Sequence, residues 1–105
     1  MIKKKFKLNT SDFKEVFNFG KTTRTDFSVV KYKKNNLPYS RFAVVVSKKI
    51  HKKAHERNHL KRRYFAAIKE VGSQLSIQDY IFILNSSAKD VQYKDILSKI
   101  KDITL

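Results

Sequence analysis

Residues 54–71 read AHERNHLKRRYFAAIKEV, and the apolar spacing within this stretch decides the fold. Five of its residues recur at the interval of a single helical face: Leu60, Tyr64, Ala67, Ile68 and Val71. Such a stripe is typical of a helix that packs against a core while its other sides remain polar. We therefore predict a long helix over residues 54–71, which Gly72 ends.

Three apolar segments on either side of this helix have the composition of β-strands. They lie at residues 27–33, where side chains alternate between two faces, at 41–47 and at 79–85. The second is apolar enough to be a central strand, and the third is expected to be buried. The turn sequence NNLP at 35–38 joins the first two, so we predict that they form a hairpin.

Two shorter helices complete the expected elements. The first covers residues 11–19, and Gly20 is expected to end it in the left-handed conformation. The second has an amphipathic pattern over residues 93–103. The order helix, strand, strand, helix, strand, helix predicts an α+β fold, in which a small mixed β-sheet packs with three helices in a two-layer sandwich.

The composition fits a single domain over residues 1–105. Hydrophobic residues make up 41% of the chain, and there is no cysteine for a disulfide or a thiolate metal site. No apolar run has the length of a membrane span, and none follows the basic N-terminus as in a signal peptide. We expect a cytoplasmic protein. The basic residues 1–10 have two open interpretations, a mobile arm and a frayed terminus.

The charge of the chain is strongly one-sided. Lys and Arg number 24 against nine Asp and Glu, which gives a formal net charge of +15. The basic segment, residues 47–63 (SKKIHKKAHERNHLKRR), holds eight Lys or Arg and one Glu, which leaves +7. Such clustering favours a polyanion, because neutralising adjacent phosphates releases condensed counterions. RNA is the predicted partner; an anionic membrane surface and a merely solubilising face are the alternatives.

Residues that could support catalysis by the protein itself are sparse. The nine acids are scattered, without the paired carboxylates of two-metal hydrolysis, and there is no phosphate-binding loop. His51, His55 and His59 recur every fourth residue, a spacing that could bind a metal on a helix. Because the surrounding cations disfavour a bound metal, RNA-facing histidines are the preferred interpretation. We expect no catalytic residue and no metal ligand in the protein.

Motifs along nearly the whole chain resemble one known family. RNxxKR at residues 57–62, with SKK at 47–49 upstream, is similar to the signature of bacterial ribonuclease P protein subunits. DFxxVFxxG at 12–20 is similar to the first helix of that family, and DYIFIL at 79–84 to its late strand. The resemblance implies an α+β domain with a left-handed βαβ crossover.

The resemblance also implies a function. Members belong to a ribonucleoprotein that removes the 5′ leader of precursor tRNA by endonucleolytic hydrolysis. The large RNA subunit is the catalyst and binds Mg²⁺, whereas the protein aids substrate and metal binding, is inactive alone and needs no obligate protein partner. The alternative hypothesis is a ribosomal or other structural RNA-binding protein without a processing role.

Two sets of binding residues follow from the resemblance and the charge pattern. Contacts with the catalytic RNA are expected from Lys48, Lys49, Lys52, Lys53, Arg57, Asn58, Lys61, Arg62 and Arg63. A leader cleft between the first helix and the sheet is expected from Phe13, Phe17, Val30 and Tyr32. Phe13 and Phe17 are core residues in the alternative interpretation, and Tyr32 is expected to replace an aromatic residue that many members have at position 30. Phe65 and Asn85 stand where many members have a basic residue.

Overall fold

The computed structural model describes residues 3–103, which contain seven regular elements. They are α1 (Thr10–Phe19), β1 (Lys21–Arg24), β2 (Ser28–Lys33), β3 (Arg41–Val45), α2 (Ala54–Val71), β4 (Asp79–Leu84) and α3 (Tyr93–Lys101). Short 3-10 turns occur at Lys4–Phe6, Gly72–Gln74 and Ser86–Ala88. The predicted α+β class with three helices is confirmed. None of the helices described is long and apolar enough to cross a membrane.

The four strands form one mixed sheet in the order β1-β2-β4-β3. β2 is antiparallel to both β1 and β4, whereas β3 is parallel to β4. Helix α2 connects the two parallel strands, so β3, α2 and β4 form a βαβ unit. The left-handed sense expected for this crossover stays a prediction.

The predicted hairpin between residues 27–33 and 41–47 is wrong, because β4 lies between β2 and β3. In β4, the consecutive residues Tyr80, Ile81 and Phe82 are all buried. A strand that is apolar on both faces is most stable at the centre of a sheet, where helices can cover both sides. β4 therefore lies between β2 and β3, a position that a hairpin of β2 with β3 would exclude.

Strand β3 lies at the edge of the sheet, although its apolar sequence suggested a central position. Its outer side meets the N-terminal segment. Lys7 forms a parallel bridge with Phe42, and the N–H of Leu8 donates to the Phe42 carbonyl at 3.0 Å. These residues shield part of an edge that would otherwise expose backbone groups. The mobility expected of residues 1–10 stays a prediction, and the first two residues lie outside the described part of the chain.

Strand β1 forms the other edge and contains no apolar residue, so hydrophobic alternation does not predict it. Its sequence KTTR pairs with β2, from Lys21 opposite Tyr32 to Arg24 opposite Val29. Polar and charged side chains suit an outer strand, since they discourage pairing with other chains. The β1–β2 hairpin is therefore a feature that the sequence analysis missed.

Alternation along the strands gives the sheet two different faces. The core face consists of even-numbered residues that pack into the main core: Val30, Phe42, Val44, Tyr80, Phe82 and Leu84. The predicted stripe of α2 is confirmed, because all five of its residues are buried in this core. Ile96 and Ile100 of α3 are buried in the same cluster. The sheet together with α2 and α3 makes the main packed layers of the domain.

The open face consists of the odd-numbered residues of β2, β3 and β4, and α1 crosses it. Val16 of α1 and Ile81 of β4 are buried there, outside the main core. Arg41 fastens the helix to the strands, since its guanidinium donates to Asp12 of α1 at 2.7 Å and to Asp79 of β4 at 2.7 and 2.9 Å. The hydrogen bond from Arg41 holds the pKa of Asp12 below its usual value.

Gly20 ends α1 where the chain passes close to the sheet. Its φ is −74°, so the predicted left-handed conformation is wrong. A Cβ at this position would lie 2.4 Å from the carbonyl oxygen of Val16 and 2.9 Å from that of Tyr32. Glycine is required here by the close approach of two backbone segments.

Candidate RNA-binding interface

The loop between β3 and α2 carries four exposed lysines: Lys48, Lys49, Lys52 and Lys53. Ile50 anchors this loop, because its side chain is 4% exposed in the core and its N–H donates to the carbonyl of Ser47 at 3.1 Å. From α2, the guanidinium of Arg57 donates to the carbonyls of His51 and Lys52 at 3.0 and 2.7 Å. The loop is thus ordered through its backbone while its lysine side chains face solvent.

Arg57 therefore has a structural role in the loop, and its expected contact with RNA stays a prediction. The start of α2 lies beside it. Lys53 precedes the helix without a side-chain hydrogen bond that caps it, so the N–H groups of the first turn have no capping acceptor. Such groups, together with the positive end of the helix dipole, suit a phosphate.

Three of the predicted contact residues line one groove on α2: Asn58, Lys61 and Arg62. We call it the edge groove, because its floor is residues 42–44 of the edge strand β3. Its volume is about 440 Å³, and Lys7 lines its other side. The Nζ of Lys7 lies 5.3 Å from the centre of the Phe65 ring. The groove therefore combines three cations with an amide that can both donate and accept hydrogen bonds.

Lys7 is a residue of this groove that the predicted contact set did not include. It lies far from the basic segment in sequence, and its bridge to Phe42 brings it beside α2. The available signal was the run of lysines at positions 3–7. Periodicity alone does not show which element such a run will pair with.

Arg63 faces the opposite side of α2, away from the edge groove. Its Nη1 donates to the carbonyl of Val91 at 2.9 Å. The three histidines line the same side, where Nε2 of His51 is 3.0 Å from the carbonyl oxygen of Lys89 and Nδ1 is 3.2 Å from the Glu56 carboxylate. Within residues 3–103, no group of three His, Cys, Asp or Glu is arranged to hold a metal ion. Arg63 of α2 and His51 of the preceding loop thus both contact the segment that precedes α3.

A second candidate surface lies between α1 and the open face of the sheet. Phe13 and Phe17 stack with ring centres 6.0 Å apart and 14° between their planes, and Phe17 is 44% exposed. Lys31 of β2 places its Nζ 5.6 Å from the centre of the Phe17 ring. An exposed aromatic pair beside a cation suits an unpaired base and its phosphate.

The predicted leader cleft needs a correction at Val30 and Tyr32. Val30 is 0% exposed on the core face, and Tyr32 packs on the same face against Tyr80, with ring centres 6.5 Å apart. Successive residues of a strand point to opposite faces, so both side chains point away from the aromatic pair of α1. Lys31, which lies between them in sequence, occupies the position beside the pair.

Phe65 and Asn85, which stand where a basic residue was expected, have structural contacts. Phe65 is buried in the core, and the nearby cation is supplied by Lys7. The side-chain oxygen of Asn85 accepts from the N–H of Ser87 at 2.9 Å, and its amide nitrogen donates to the carbonyl of Asp26 at 3.3 Å. Asn85 therefore closes the turn after β4.

Comparisons with known proteins agree on one family. The model of the family described as Ribonuclease P matches residues 2–104. The Ribonuclease P protein component of Streptococcus thermophilus is 34% identical over 100 residues, which cover 94% of this chain and 89% of that protein. The corresponding component of Clostridioides difficile is 37% identical, with 89% and 82% covered. The solved RNase P protein from Thermotoga maritima matches with a TM-score of 0.81 and 27% identity, covering 93% of this chain and 97% of that one.

Proposed function

Because the chain belongs to the ribonuclease P protein family, we propose that it is the protein subunit of a tRNA-processing ribonucleoprotein. In this role it binds a large catalytic RNA and the 5′ leader of precursor tRNA. The RNA carries out the endonucleolytic cleavage that gives the mature 5′ end. The protein contributes binding surfaces and acts in the cytoplasm.

The edge groove is the observation that carries this proposal. Lys7, Lys61 and Arg62 surround a concave surface beside the ordered lysine loop, and no carboxylate lines the groove within the described part of the chain. Arg can make forked contacts with phosphate, and Lys adds a point charge. The groove and the uncapped start of α2 together suit the folded backbone of an RNA, with Asn58 able to contact a 2′-hydroxyl or a base edge.

The open face supplies a separate surface for the substrate leader. A single-stranded leader has unpaired bases, which stack on aromatic rings at about 1–3 kcal/mol per base. Phe17 is exposed enough to accept a base, and Lys31 lies where the adjoining phosphate would be. The leader site therefore comprises Phe13, Phe17 and Lys31.

Magnesium ions fit the RNA of this assembly better than the protein. The described residues offer no cluster of three metal-ligating side chains, and the cations of the edge groove would repel Mg²⁺. Cations at the groove instead neutralise RNA phosphates and so stabilise the folded RNA that holds the metal. We propose that the protein lowers the Mg²⁺ concentration needed for cleavage.

Reconstitution tests the proposal directly. The purified protein, the cognate large RNA and a precursor tRNA with a 5′ leader are combined at several Mg²⁺ concentrations, and leader release is measured on gels. We expect the protein alone to be inactive and the complex to cleave at lower Mg²⁺ than the RNA alone. A protein that fails to stimulate the RNA and co-purifies with ribosomal subunits would instead be a structural RNA-binding protein.

Charge-removal variants test the groove itself. Arg62→Ala removes an exposed cation from the edge groove, and Lys94→Ala removes one from α3 as a matched control. We expect Arg62→Ala to weaken binding to the large RNA about tenfold and to reduce the salt dependence by about one counterion. Lys94→Ala should change neither. Equal binding by the two variants would contradict the assignment of the groove.

A further inference from the structure

A further concave surface lies at the C-terminal end of α2, where the chain turns towards β4. It consists of two neighbouring grooves that share Ile77, and we call it the Ile77 surface. The first groove has a volume of about 350 Å³ and is lined by Phe6, Tyr39 and Lys69 among others. The second has a volume of about 360 Å³ and is lined by Lys21, Tyr32, Lys34 and polar residues of the turn before β4. Ile77 is 53% exposed between them.

Aromatic rings and cations occur together on this surface. Phe6 and Tyr39 meet edge to face, with ring centres 5.3 Å apart and 88° between their planes. The Nζ of Lys5 lies 5.0 Å from the centre of the Phe6 ring and 5.3 Å from that of Tyr39. A flat base can pack against such rings while the ammonium group contacts the phosphate next to it.

The charge of the Ile77 surface has one sign. Lysines surround it, and no Asp or Glu lines either groove in the described part of the chain: the cations are Lys5, Lys21, Lys34 and Lys69. The nearby Asp79 is buried, and Arg41 and Asn35 both donate to its carboxylate. The groove beside His51 differs, because Glu56 and Asp90 line it. A polyanion therefore fits the charge of the Ile77 surface better than a basic partner does.

The turn that carries Ile77 is held in place by polar contacts beneath it. The hydroxyl of Tyr80 donates to the carbonyl of Ser76 at 2.5 Å, and the N–H of Gln78 donates to the hydroxyl of Ser40 at 3.1 Å. The surface is thus ordered before any ligand arrives, which lowers the entropic cost of binding.

We propose that the Ile77 surface binds an unpaired stretch of RNA, with a base against Tyr39 and Phe6 and phosphates on the surrounding lysines. The edge groove lies along residues 58–65 of α2 and the Ile77 surface lies at the C-terminal end of this helix, so the protein would contact RNA at two places along it. The proposal rests on the proposed function for the choice of RNA. It adds a binding site outside the basic segment and outside the leader site of Phe13, Phe17 and Lys31.

A tethered probe tests the location of this contact. The chain has no cysteine, so Ile77→Cys creates a single attachment point for a chelated iron that generates hydroxyl radicals. Ser98→Cys, at an exposed position of α3, is the matched control. In the complex reconstituted with the large RNA and precursor tRNA, we expect the Ile77→Cys probe to cut a discrete RNA segment. No cutting above the Ser98→Cys control overturns the proposal.

Charge variants at the same position give an independent measurement. Ile77→Glu should weaken binding of the protein to the reconstituted RNAs about tenfold, whereas Ile77→Lys should leave it unchanged or tighter. Loss of binding by Arg62→Ala with no effect of Ile77→Glu overturns this site and leaves the proposed function intact. Failure of the unmodified protein to bind either RNA overturns the proposed function. Concentration-dependent dimerisation that Ile77→Glu abolishes, without any effect on RNA, would assign the surface to a second copy and overturn the RNA site.

Discussion

The two faces of the sheet differ in what covers them. On the core face, α2 and α3 bury the even-numbered residues of β2, β3 and β4 in one continuous cluster. On the open face, α1 alone crosses the strands, with Val16 and Ile81 buried and Phe17 and Lys31 left accessible at its margin. Packing on the core face is apolar, whereas α1 is held on the open face partly by the ion pairs that Arg41 makes with Asp12 and Asp79.

This difference separates stability from recognition within the same strands. A closely packed apolar face contributes most of the hydrophobic free energy of folding but leaves few of its side chains accessible to a ligand. A partly covered face contributes less, yet it can present an aromatic ring and a cation to RNA. Because one residue of displacement along a strand exchanges the two faces, adjacent substitutions should have different consequences.

Removing Arg41 should have the largest effect, since it leaves the buried carboxylate of Asp79 without its countercharge and breaks the ion pair with Asp12 of α1. In Arg41→Met, the buried carboxylate of Asp79 keeps its hydrogen bond from Asn35 but loses its countercharge. Removing one partner of a buried ion pair costs about 3–5 kcal/mol. We expect a loss of that size in the free energy of unfolding, measured by urea denaturation.

The matched control for Arg41 is Lys33, also on the open face. Lys33 pairs with Glu15 of α1 at 3.6 Å, but both side chains are substantially exposed. Such a surface pair contributes at most about 1 kcal/mol, so Lys33→Met should hardly change stability. Equal losses in the two variants would mean that the buried pair of Arg41 and Asp79 contributes no more stability than an exposed ion pair.

Two neighbouring valines of β2 compare the faces directly. Val30 is completely buried on the core face, and Val29 is half-buried on the open face. Val30→Ala should lower the free energy of unfolding by about 2–3 kcal/mol, from lost transfer energy and a residual cavity. Val29→Ala should cost about 1 kcal/mol or less. Thermal unfolding measures both losses. A larger loss for Val29→Ala than for Val30→Ala would contradict the assignment of the two faces.

The sequence predicts the core face well because strong periodicity specifies it. The apolar residues of α2 and of β4 are the ones that the structure buries. The local sequence is therefore sufficient to predict which residues of these two elements lie in the core. The sequence predicts strand pairing poorly. β2 pairs with β4 and not with β3, because helices then cover both faces of β4. Strand β1 is missed because KTTR has no hydrophobic signal, and its place is decided by backbone pairing with β2.

The residues of the candidate site likewise include some that the sequence predicts and some that only the tertiary structure places. Asn58, Lys61 and Arg62 form one groove as their helical spacing suggests, whereas Lys7 joins them only through tertiary pairing with β3. Of the residues predicted to form a leader cleft, Val30 and Tyr32 lie on the core face, because a family pattern gives positions along the chain but not the face of the strand. Lys31 instead lies beside Phe17. Leader binding itself stays a prediction.

Lowering the pH should destabilise the packing of α1 on the open face before it destabilises the packing on the core face. Arg41 keeps the pKa of Asp12 below its usual 3.8, so Asp12 contributes stability above that pH. This contribution is lost as the pH falls through the lowered pKa of the folded state, because the protonated carboxyl no longer pairs with Arg41. The stability difference between the natural protein and Asp12→Asn should therefore shrink as the pH falls below the usual pKa of 3.8 and through the lowered pKa of Asp12. Thermal unfolding across this range measures it; a difference independent of pH would contradict the role of Asp12.

The smallest expected effect distinguishes the two faces by function. Lys31→Met keeps the length of the side chain but removes the cation beside Phe17. Loss of one exposed charge contact of about 0.5–1 kcal/mol with a leader phosphate corresponds to a two- to fivefold loss of affinity. We expect that loss for precursor tRNA with its leader and none for mature tRNA, measured as Kd in the reconstituted complex. Lys94→Met removes one exposed cation from α3 and should leave both affinities unchanged. Equal losses in the two variants would mean that net charge, rather than a contact beside Phe17, sets the affinity for the leader, and the separation of stability from recognition would fail.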